Sequence, residues 1–152
     1  DAGCGTGRVA AELSRRGYHC TGVDADDDMI SVARQRDPSS EYYVQDLATL
    51  DLDDQAFDLV LLAGNVVPLL GPGTLAHVMG RVVRHVRPGG QVVAGFGLDP
   101  AHLPPRCPVT PLAAYDQACL AAGLTPRTTF ATWDRHRWTR ESGYVVALHV
   151  LG

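Results

Sequence analysis

The sequence predicts an α/β fold in which helices cover both faces of a mostly parallel sheet. Strand-like and helix-like segments alternate along most of the chain, which is the pattern of repeated βα units. Residues 57–63 are apolar enough to form a strand buried on both faces, as parallel strands usually are. A glycine-rich turn at residues 1–7 leads directly into an amphipathic segment. These observations favour a doubly wound sheet.

Four helices are predicted, at residues 8–16, 26–36, 72–86 and 111–122. Gly17 follows the first helix and Gly123 follows the last, and glycine commonly follows the final helical turn. The second begins with acidic residues, which complement the dipole at a helix N-terminus. The third has a continuous apolar stripe, and we expect His77 and His85 on its solvated side. The Pro-Gly-Gly segment in residues 87–90 ends it.

Six strands are predicted, at residues 18–23, 41–45, 57–63, 91–96, 128–133 and 144–150. Each is a short apolar or β-branched segment that lies between turn signals or helices. The last two have no long helical segment between them, so they are expected to form a closing pair. The loop at residues 97–111 is rich in proline and is expected to be stiff.

Composition limits the classes of function. The chain has 152 residues, 45% hydrophobic and 20% charged, which is typical of a single globular domain. A net charge of −4 argues against general nucleic-acid binding, and no apolar run is long enough to span a bilayer. Cys4, Cys20, Cys107 and Cys119 follow neither a disulfide pattern nor a metal-ligand pattern. We therefore expect reduced thiols, no metal and a cytoplasmic protein.

Three alternating glycines occupy the turn Asp1-Ala-Gly-Cys-Gly-Thr-Gly7. Glycine lets the backbone approach a ligand closely, and the helix N-terminus behind it offers free N–H groups. Gly5-Thr-Gly7-Arg-Val-Ala10 also satisfies the dinucleotide-binding pattern. Asp24 lies near the position at which that pattern expects a ribose-binding acid. These residues alone leave a nicotinamide-dependent oxidoreductase open.

A set of five motifs, taken in their order along the chain, distinguishes the dinucleotide interpretation from a second one. Asp1-x-Gly3-x-Gly5-x-Gly7 resembles motif I of the class I S-adenosylmethionine-dependent methyltransferases, and Gly22-Val-Asp24 resembles their second motif. Gln45-Asp46-Leu47, Phe57-Asp-Leu-Val60 and Arg87-Pro-Gly-Gly90 follow in the order of that family. A dehydrogenase pattern predicts none of the last three. The alternatives to a methyltransferase are a nicotinamide-dependent oxidoreductase and a non-catalytic cofactor-binding module.

The resemblance, which covers most of residues 1–98, has implications for the fold. It implies a Rossmann-like, mostly parallel sheet of seven strands, with one antiparallel strand near the C-terminal edge. Asp1 would be the last residue of the first strand, which is central in the family's sheet. We therefore expect residues 1–152 to be a single cofactor-binding domain whose N-terminal part, including most of that strand, is absent from this chain.

The resemblance also implies which residues bind S-adenosyl-L-methionine. Asp1 and the glycine loop would hold the methionine portion, and Asp24 would accept hydrogen bonds from both ribose hydroxyls. Asp46 would bind the adenine amino group, whereas Asn65 would contact cofactor or substrate, or only cap a turn. The complete expected set is Asp1, Ala2, Gly3, Cys4, Gly5, Gly7, Asp24, Ala25, Met29, Asp46, Leu47, Ala63, Gly64 and Asn65.

The acceptor is expected to be a small molecule bound outside the carboxyl ends of the strands. Asn65-Val-Val-Pro68 departs from the Asn-Pro-Pro-Tyr motif with which some family members hold a planar nitrogen, so such an acceptor is not indicated. His102 and His136 are candidate acceptor contacts, or alternatively solvated loop residues. Trp133, Arg135 and Trp138 belong to an aromatic and basic cluster that can stack on a planar or anionic acceptor.

A solvated hairpin with one tryptophan in the core is the preferred alternative for that cluster. Methyl transfer from a sulfonium depends mainly on positioning and desolvation, and the sequence identifies no catalytic base.

Overall fold

A computed structural model of the protein describes residues 1–52 and 57–152. Its helices are α1 Arg8–Arg15, α2 Asp27–Arg36, α3 Val66–Leu69, α4 Leu75–Val83 and α5 Leu112–Ala121. Its strands are β1 Thr21–Asp24, β2 Glu41–Val44, β3 Phe57–Leu62, β4 Val86–Gly97, β5 Leu124–Phe130 and β6 Tyr144–Leu151. Short 3-10 turns occur at Leu47–Thr49 and Pro100–His102. The predicted alternation of strands and helices is confirmed.

The strands form two ladders that meet at one residue. β1 and β2 are parallel, whereas the second ladder has the order β3, β4, β6, β5, with β3 parallel to β4 and β6 antiparallel to both neighbours. Ala2 forms a parallel bridge with Val23, and its N–H donates to the carbonyl of Leu61 at 2.8 Å. Ala2 therefore lies between β1 and β3 and is hydrogen-bonded to both ladders.

The predicted α/β class and mixed sheet are confirmed, but a single seven-stranded sheet is not observed. The described residues form a two-stranded and a four-stranded ladder. The physical reason is that Ala2 makes only an isolated bridge, and one residue cannot supply the repeated hydrogen bonds of a strand. A cavity of about 960 Å³ lies between the ladders, lined among others by Val23 and Leu61.

Two predicted boundaries are wrong for reasons of pairing. The third predicted helix continued to Val86, but α4 ends at Val83 because Val86 is buried in β4, opposite Phe57. The predicted strand at residues 128–133 is displaced to Leu124–Phe130, where it pairs with β6. The residues that follow form a tight turn in which the N–H of Arg135 donates to the carbonyl of Thr132 at 3.0 Å.

His85 is buried, contrary to the prediction that it is solvated. Its Nε2 accepts a hydrogen bond from the N–H of Leu52 at 3.0 Å, and its Nδ1 lies 2.9 Å from the carbonyl of Arg81. Because Nε2 accepts, Nδ1 is the donor to that carbonyl. His85 thus ties the end of α4 to the segment that leads towards β3. His77, by contrast, is exposed as predicted.

Two hydrophobic clusters hold the layers together. The larger packs α4 and α5 against the sheet through residues that include Met79, Val82 and Tyr115. The smaller joins α1, α2 and β2 and contains Ile30 and Tyr42 among others. Burying each such large apolar side chain contributes roughly 1.5–3 kcal/mol. None of the helices formed by the described residues is long and apolar enough to cross a membrane.

Candidate cofactor and acceptor site

The glycine-rich loop enters left-handed backbone three times before α1 begins. The φ angles are +73° at Gly3, +51° at Gly5 and +70° at Gly7. Glycine adopts these conformations without the steric cost that other residues incur. The loop is held by backbone bonds, since the N–H of Gly3 donates to Val23 O at 2.8 Å and that of Gly7 to Cys4 O at 3.0 Å. It forms a rigid backbone cradle at the carboxyl end of β1.

The three glycines of the cradle have different surroundings. A Cβ atom at Gly3 would lie 2.6 Å from Cγ2 of Val66, and one at Gly7 would lie 2.8 Å from Cβ of Ala33. A Cβ at Gly5 would meet nothing within 4 Å. Packing therefore requires glycine at the first and third positions, whereas Gly5 faces open space that a ligand can occupy.

Asp24 is the last residue of β1, and its carboxylate holds the middle of the cradle by a hydrogen bond. Its Oδ2 accepts a hydrogen bond from the N–H of Gly5 at 2.8 Å, and its Oδ1 accepts one from the N–H of Asp26 at 3.0 Å. A carboxylate has about four acceptor sites, so each oxygen can still accept from a ligand hydroxyl. The sequence predicted a ribose-binding acid here, and the carboxylate lies directly beside the glycine loop.

Asp1 supplies a second carboxylate. Its Oδ2 is buried and has no hydrogen-bond partner among the described residues. Leaving a buried acceptor unsatisfied costs about 1–3 kcal/mol, and more when the group is charged. A cationic donor such as an α-amino group would satisfy it, so this atom fits the ammonium end of an amino-acid ligand.

Cys4 lies within the cradle, but it is not a reactive thiol. Burial, followed by the nearby charge of Asp24, raises the pKa of the Cys4 thiol to about 11. The thiolate is the nucleophilic form of cysteine, so this side chain remains protonated near neutral pH. All four cysteines are free, and the described parts of the chain contain no group of three His, Cys, Asp or Glu side chains placed to hold a metal ion.

The other residues expected around the adenosine differ in exposure. Ala25 and Met29 are exposed beside Asp24, at the start of α2. Asp46 is exposed and caps the turn after β2, where its Oδ1 accepts from the N–H of Ala48 at 2.8 Å. The side chain of Leu47 is buried in the larger hydrophobic cluster. Contact of these residues with adenine and ribose stays a prediction.

Asn65 follows Ala63 and Gly64 beyond β3 and connects two loops. Its Oδ1 accepts from the N–H of Gly97 at 2.7 Å, and its Nδ2 donates to the carbonyl of His102 at 3.2 Å. The side chain makes no hydrogen bond that caps α3. Asn65 therefore holds the end of β4 and the following 3-10 turn against the end of β3.

His102 and Asp99 form a hydrogen-bonded pair beyond the carboxyl end of β4. Nδ1 of His102 lies 2.8 Å from Oδ1 of Asp99, which also accepts the N–H groups of Ala101 and His102. The hydrogen bond from His102 lowers the pKa of the Asp99 carboxyl below its usual range. Asp99 was not among the predicted site residues, although an Asp followed by Pro100 is a recognisable start of a helical turn.

Gly143 packs directly against this hydrogen-bonded pair. A Cβ atom at Gly143 would overlap both Oδ2 of Asp99 and Cε1 of His102. The carbonyl of Gly143 accepts from the N–H of Leu98 at 2.8 Å, which fixes the two segments together. Gly143 was not predicted either, because a close approach between distant segments leaves no local sequence pattern.

The aromatic and basic cluster forms a tight turn after β5. Trp133 is 47% exposed, and its Nε1 donates to the hydroxyl of Tyr144 at 3.3 Å. Trp138 instead packs against the larger hydrophobic cluster. Arg135, with φ +65°, and His136 lie exposed in the turn. This geometry is the hairpin with one tryptophan towards the core, and contact of these residues with an acceptor stays a prediction.

Comparison with known proteins now identifies the family. Residues 1–90, more than half of the chain, match the model of a family described as the methyltransferase domain. The chain belongs to the methyltransferase domain family. The resemblance drawn from the five sequence motifs is thereby confirmed. These motifs include the glycine loop and the acid at the end of β1, which the structure brings into contact.

Curated relatives of this methyltransferase domain are similar over about 60% of the chain. A malonyl-[acyl-carrier protein] O-methyltransferase of Salmonella typhimurium is 35% identical over 92 residues, which are 60% of this chain and 36% of that protein. A ubiquinone biosynthesis O-methyltransferase of Alkalilimnicola ehrlichii is 32% identical over 100 residues, covering 61% and 38%. The match thus spans little more than a third of the length of these relatives.

Solved structures extend the similarity to the whole fold. A TehB-like SAM-dependent methyltransferase from Corynebacterium glutamicum superposes with a TM-score of 0.89 at 28% identity, covering 100% of this chain and 78% of that one. The CcbJ methyltransferase from Streptomyces caelestis gives a TM-score of 0.86 at 22% identity, covering 99% and 82%, and shares the fold. The similarity includes the C-terminal strands, which the family model does not reach.

Proposed function

We propose that this chain is the S-adenosyl-L-methionine-binding core of a methyltransferase that acts on a small-molecule acceptor. The observation that carries the proposal is the pair of carboxylates at the glycine cradle. Asp1 has a buried oxygen without a partner, and Asp24 is fixed beside Gly5 with acceptor capacity remaining. An amino-acid ammonium and a ribose diol are chemically complementary to these two groups.

The cofactor, when bound, supplies a methyl group already activated by the sulfonium. The residues of the chain then have to bind, orient and exclude water, because correct positioning provides most of the acceleration in such a displacement. Asp1 and the cradle would hold the methionine end, while Asp24 would orient the ribose. Asn65 would keep the loops after β3 and β4 together beside the reacting groups.

The relatives favour oxygen as the acceptor atom. Both curated relatives described above carry O-methyltransferase in their names. A small-molecule acceptor would lie at the loops after β3, β4 and β5, where Asn65, His102 and Trp133 are found. This placement follows the general position of ligand crevices in α/β sheets.

Calorimetric titration of the native protein tests the cofactor. We expect S-adenosylhomocysteine to bind with micromolar or tighter affinity, since both carboxylates gain partners, and NAD to show no saturable binding. NAD binding without S-adenosylhomocysteine binding would favour the oxidoreductase alternative. Transfer of methyl from labelled S-adenosylmethionine to a metabolite panel separates the enzyme from a non-catalytic binding module, which would bind the cofactor without turnover.

Replacing Trp133 or Arg135 by alanine tests the acceptor side. We expect either change to raise the KM for the acceptor by about two- to tenfold, because an aromatic or cation–π contact is worth roughly 0.5–1.5 kcal/mol. The affinity for S-adenosylhomocysteine should be unchanged, since neither side chain contacts the cradle. Arg127→Ala, an exposed arginine on β5, is the matched control. Unaltered kinetics in both variants would make the turn a surface hairpin only.

A further inference from the structure

The hydrogen-bonded pair of His102 and Asp99 has the geometry of a proton acceptor. Oδ1 of Asp99 lies 2.8 Å from Nδ1 and accepts its proton, which leaves the lone pair of a neutral imidazole on Nε2. Asp99 is itself fixed by the backbone N–H groups of Ala101 and His102. The histidine side chain is 48% exposed, so Nε2 can be reached from outside. Among the residues that the structure describes, Asp99 is the only charged side chain paired with this ring.

The pair of His102 and Asp99 is physically connected to the glycine cradle. The carbonyl of His102 accepts from Nδ2 of Asn65 at 3.2 Å, and the next residue, Val66, packs directly on Gly3. Gly97 packs closely against the same turn, since a Cβ at this position would lie 2.5 Å from the carbonyl oxygen of His102. Two adjacent residues thus connect the histidine turn to the first glycine of the cradle.

We propose that His102 is the catalytic base of this methyltransferase, that Asp99 is its positioning residue, and that the acceptor is a hydroxyl group. The proposal rests on the proposed function, because a base is useful only where an acceptor meets an activated methyl. It goes beyond that function by naming the group that takes the proton and the chemical class of the acceptor. Gly143 completes the arrangement by leaving room for both side chains.

The proposed step conserves atoms and charge. The acceptor oxygen bonds to the methyl carbon while its proton passes to Nε2 of His102. The carbon–sulfur bond breaks, and its electron pair remains on sulfur, which leaves neutral S-adenosylhomocysteine. The imidazolium is stabilised by Asp99 until solvent removes the proton. The net products are the methyl ether, S-adenosylhomocysteine and one proton.

The presence of a base favours a hydroxyl over a carboxylate. A carboxyl group is already ionised at neutral pH and can attack a methyl group without losing a proton. A phenol or an alcohol retains its proton at neutral pH, since even a phenol ionises only near pH 10. Of these two classes, a positioned base therefore accelerates only the hydroxyls, by about 10²–10⁴-fold.

The experiment begins with His102→Gln in the native protein. We expect kcat for a hydroxyl acceptor to fall by about 10²–10⁴-fold, with S-adenosylhomocysteine affinity within about twofold of wild type. Added imidazole should restore part of the rate in His102→Gly. The control is His77→Gln, which replaces an exposed histidine on α4 and should change neither quantity. Retention of the wild-type rate by His102→Gln would overturn the proposal.

The acceptor class is tested with two matched panels. One contains phenols and alcohols and includes 4-hydroxyphenylacetamide, and the other contains carboxylates without hydroxyls and includes phenylacetate. Turnover of hydroxyls with dependence on His102 supports the proposal. Turnover of carboxylates alone, or of no hydroxyl, overturns it. Failure of S-adenosylhomocysteine to bind would instead contradict the proposed function, so the two failures are distinguishable.

Nitrogen NMR of the imidazole provides a readout that is independent of turnover. In wild type we expect the proton on Nδ1, and in Asp99→Asn or Gly143→Ala a mixture of tautomers, because the carboxylate partner is removed or displaced. A tautomer that Asp99→Asn leaves unchanged would remove Asp99 from its positioning role.

Discussion

Replacing Asp24 by alanine is expected to weaken S-adenosylhomocysteine binding by about 30- to 1,000-fold. The substitution removes two charge-assisted hydrogen bonds to ribose hydroxyls, each worth roughly 1.5–3 kcal/mol before water compensates in part. It also releases the N–H of Gly5, which Asp24 holds at 2.8 Å in the free protein. A net loss of about 2–4 kcal/mol corresponds to that range of affinity.

Calorimetry on folded protein measures this effect, with Asp58→Ala as the control. Asp58 is a strand carboxylate like Asp24, but it is exposed and lies near the amino end of β3, where it pairs with Arg87 at the surface. Its removal should leave the affinity unchanged. Asp46→Ala should cost less than Asp24→Ala, since a single adenine contact is lost. Equal affinities of wild type and Asp24→Ala would exclude Asp24 from the cofactor site.

The fold was largely predictable because its elements are encoded locally. Apolar segments bounded by turn residues predicted six strands in the observed order, although β4 and β5 both begin earlier than predicted, and glycines predicted the ends of α1 and α5. The end of α4 could not be read in this way. Val86 continues the helical stripe of apolar residues, yet it is buried in β4 opposite Phe57. Pairing with a distant strand therefore overrides the local periodicity.

The proximity of candidate-site residues could be predicted only where a recognised sequence pattern includes them. The glycine loop and Asp24 follow a compact pattern, so their proximity could be expected from the sequence. The packing of Gly143 against His102 could not be expected, since Gly143 lies 41 residues further along the chain and contributes only the absence of a side chain. A contact of this kind is decided by tertiary packing, and no periodicity or composition reports it.

Alanine substitutions of two cradle glycines should affect the free energy of unfolding and the cofactor affinity to different extents. Gly3→Ala and Gly5→Ala each place a non-glycine residue at positive φ, which costs roughly 1–2 kcal/mol. Only the first also forces a Cβ against Val66, a buried β-branched residue that cannot easily rotate away. Overpacking of this kind adds about 1–3 kcal/mol. We therefore expect Gly3→Ala to lower the free energy of unfolding by about 2–5 kcal/mol.

Gly5→Ala is expected to show the opposite balance. Its new methyl group meets no protein atom within 4 Å, so the loss of stability should be limited to the backbone strain. The same methyl group projects into the space assigned to the cofactor, and overpacking there should weaken S-adenosylhomocysteine binding by roughly 5- to 150-fold. Urea denaturation and calorimetry on both variants measure the two quantities.

A second substitution at the contact tests the steric explanation for Gly3. Val66→Ala removes the two methyl groups that a Cβ at Gly3 would meet, so the double variant Gly3→Ala/Val66→Ala should be more stable than the sum of the single effects predicts. Gly5→Ala combined with Val66→Ala should be additive, because Gly5 has no neighbour there. Additivity in both pairs would mean that strain at positive φ alone explains the loss at Gly3. In that case Val66 would not be the residue that requires glycine at this position.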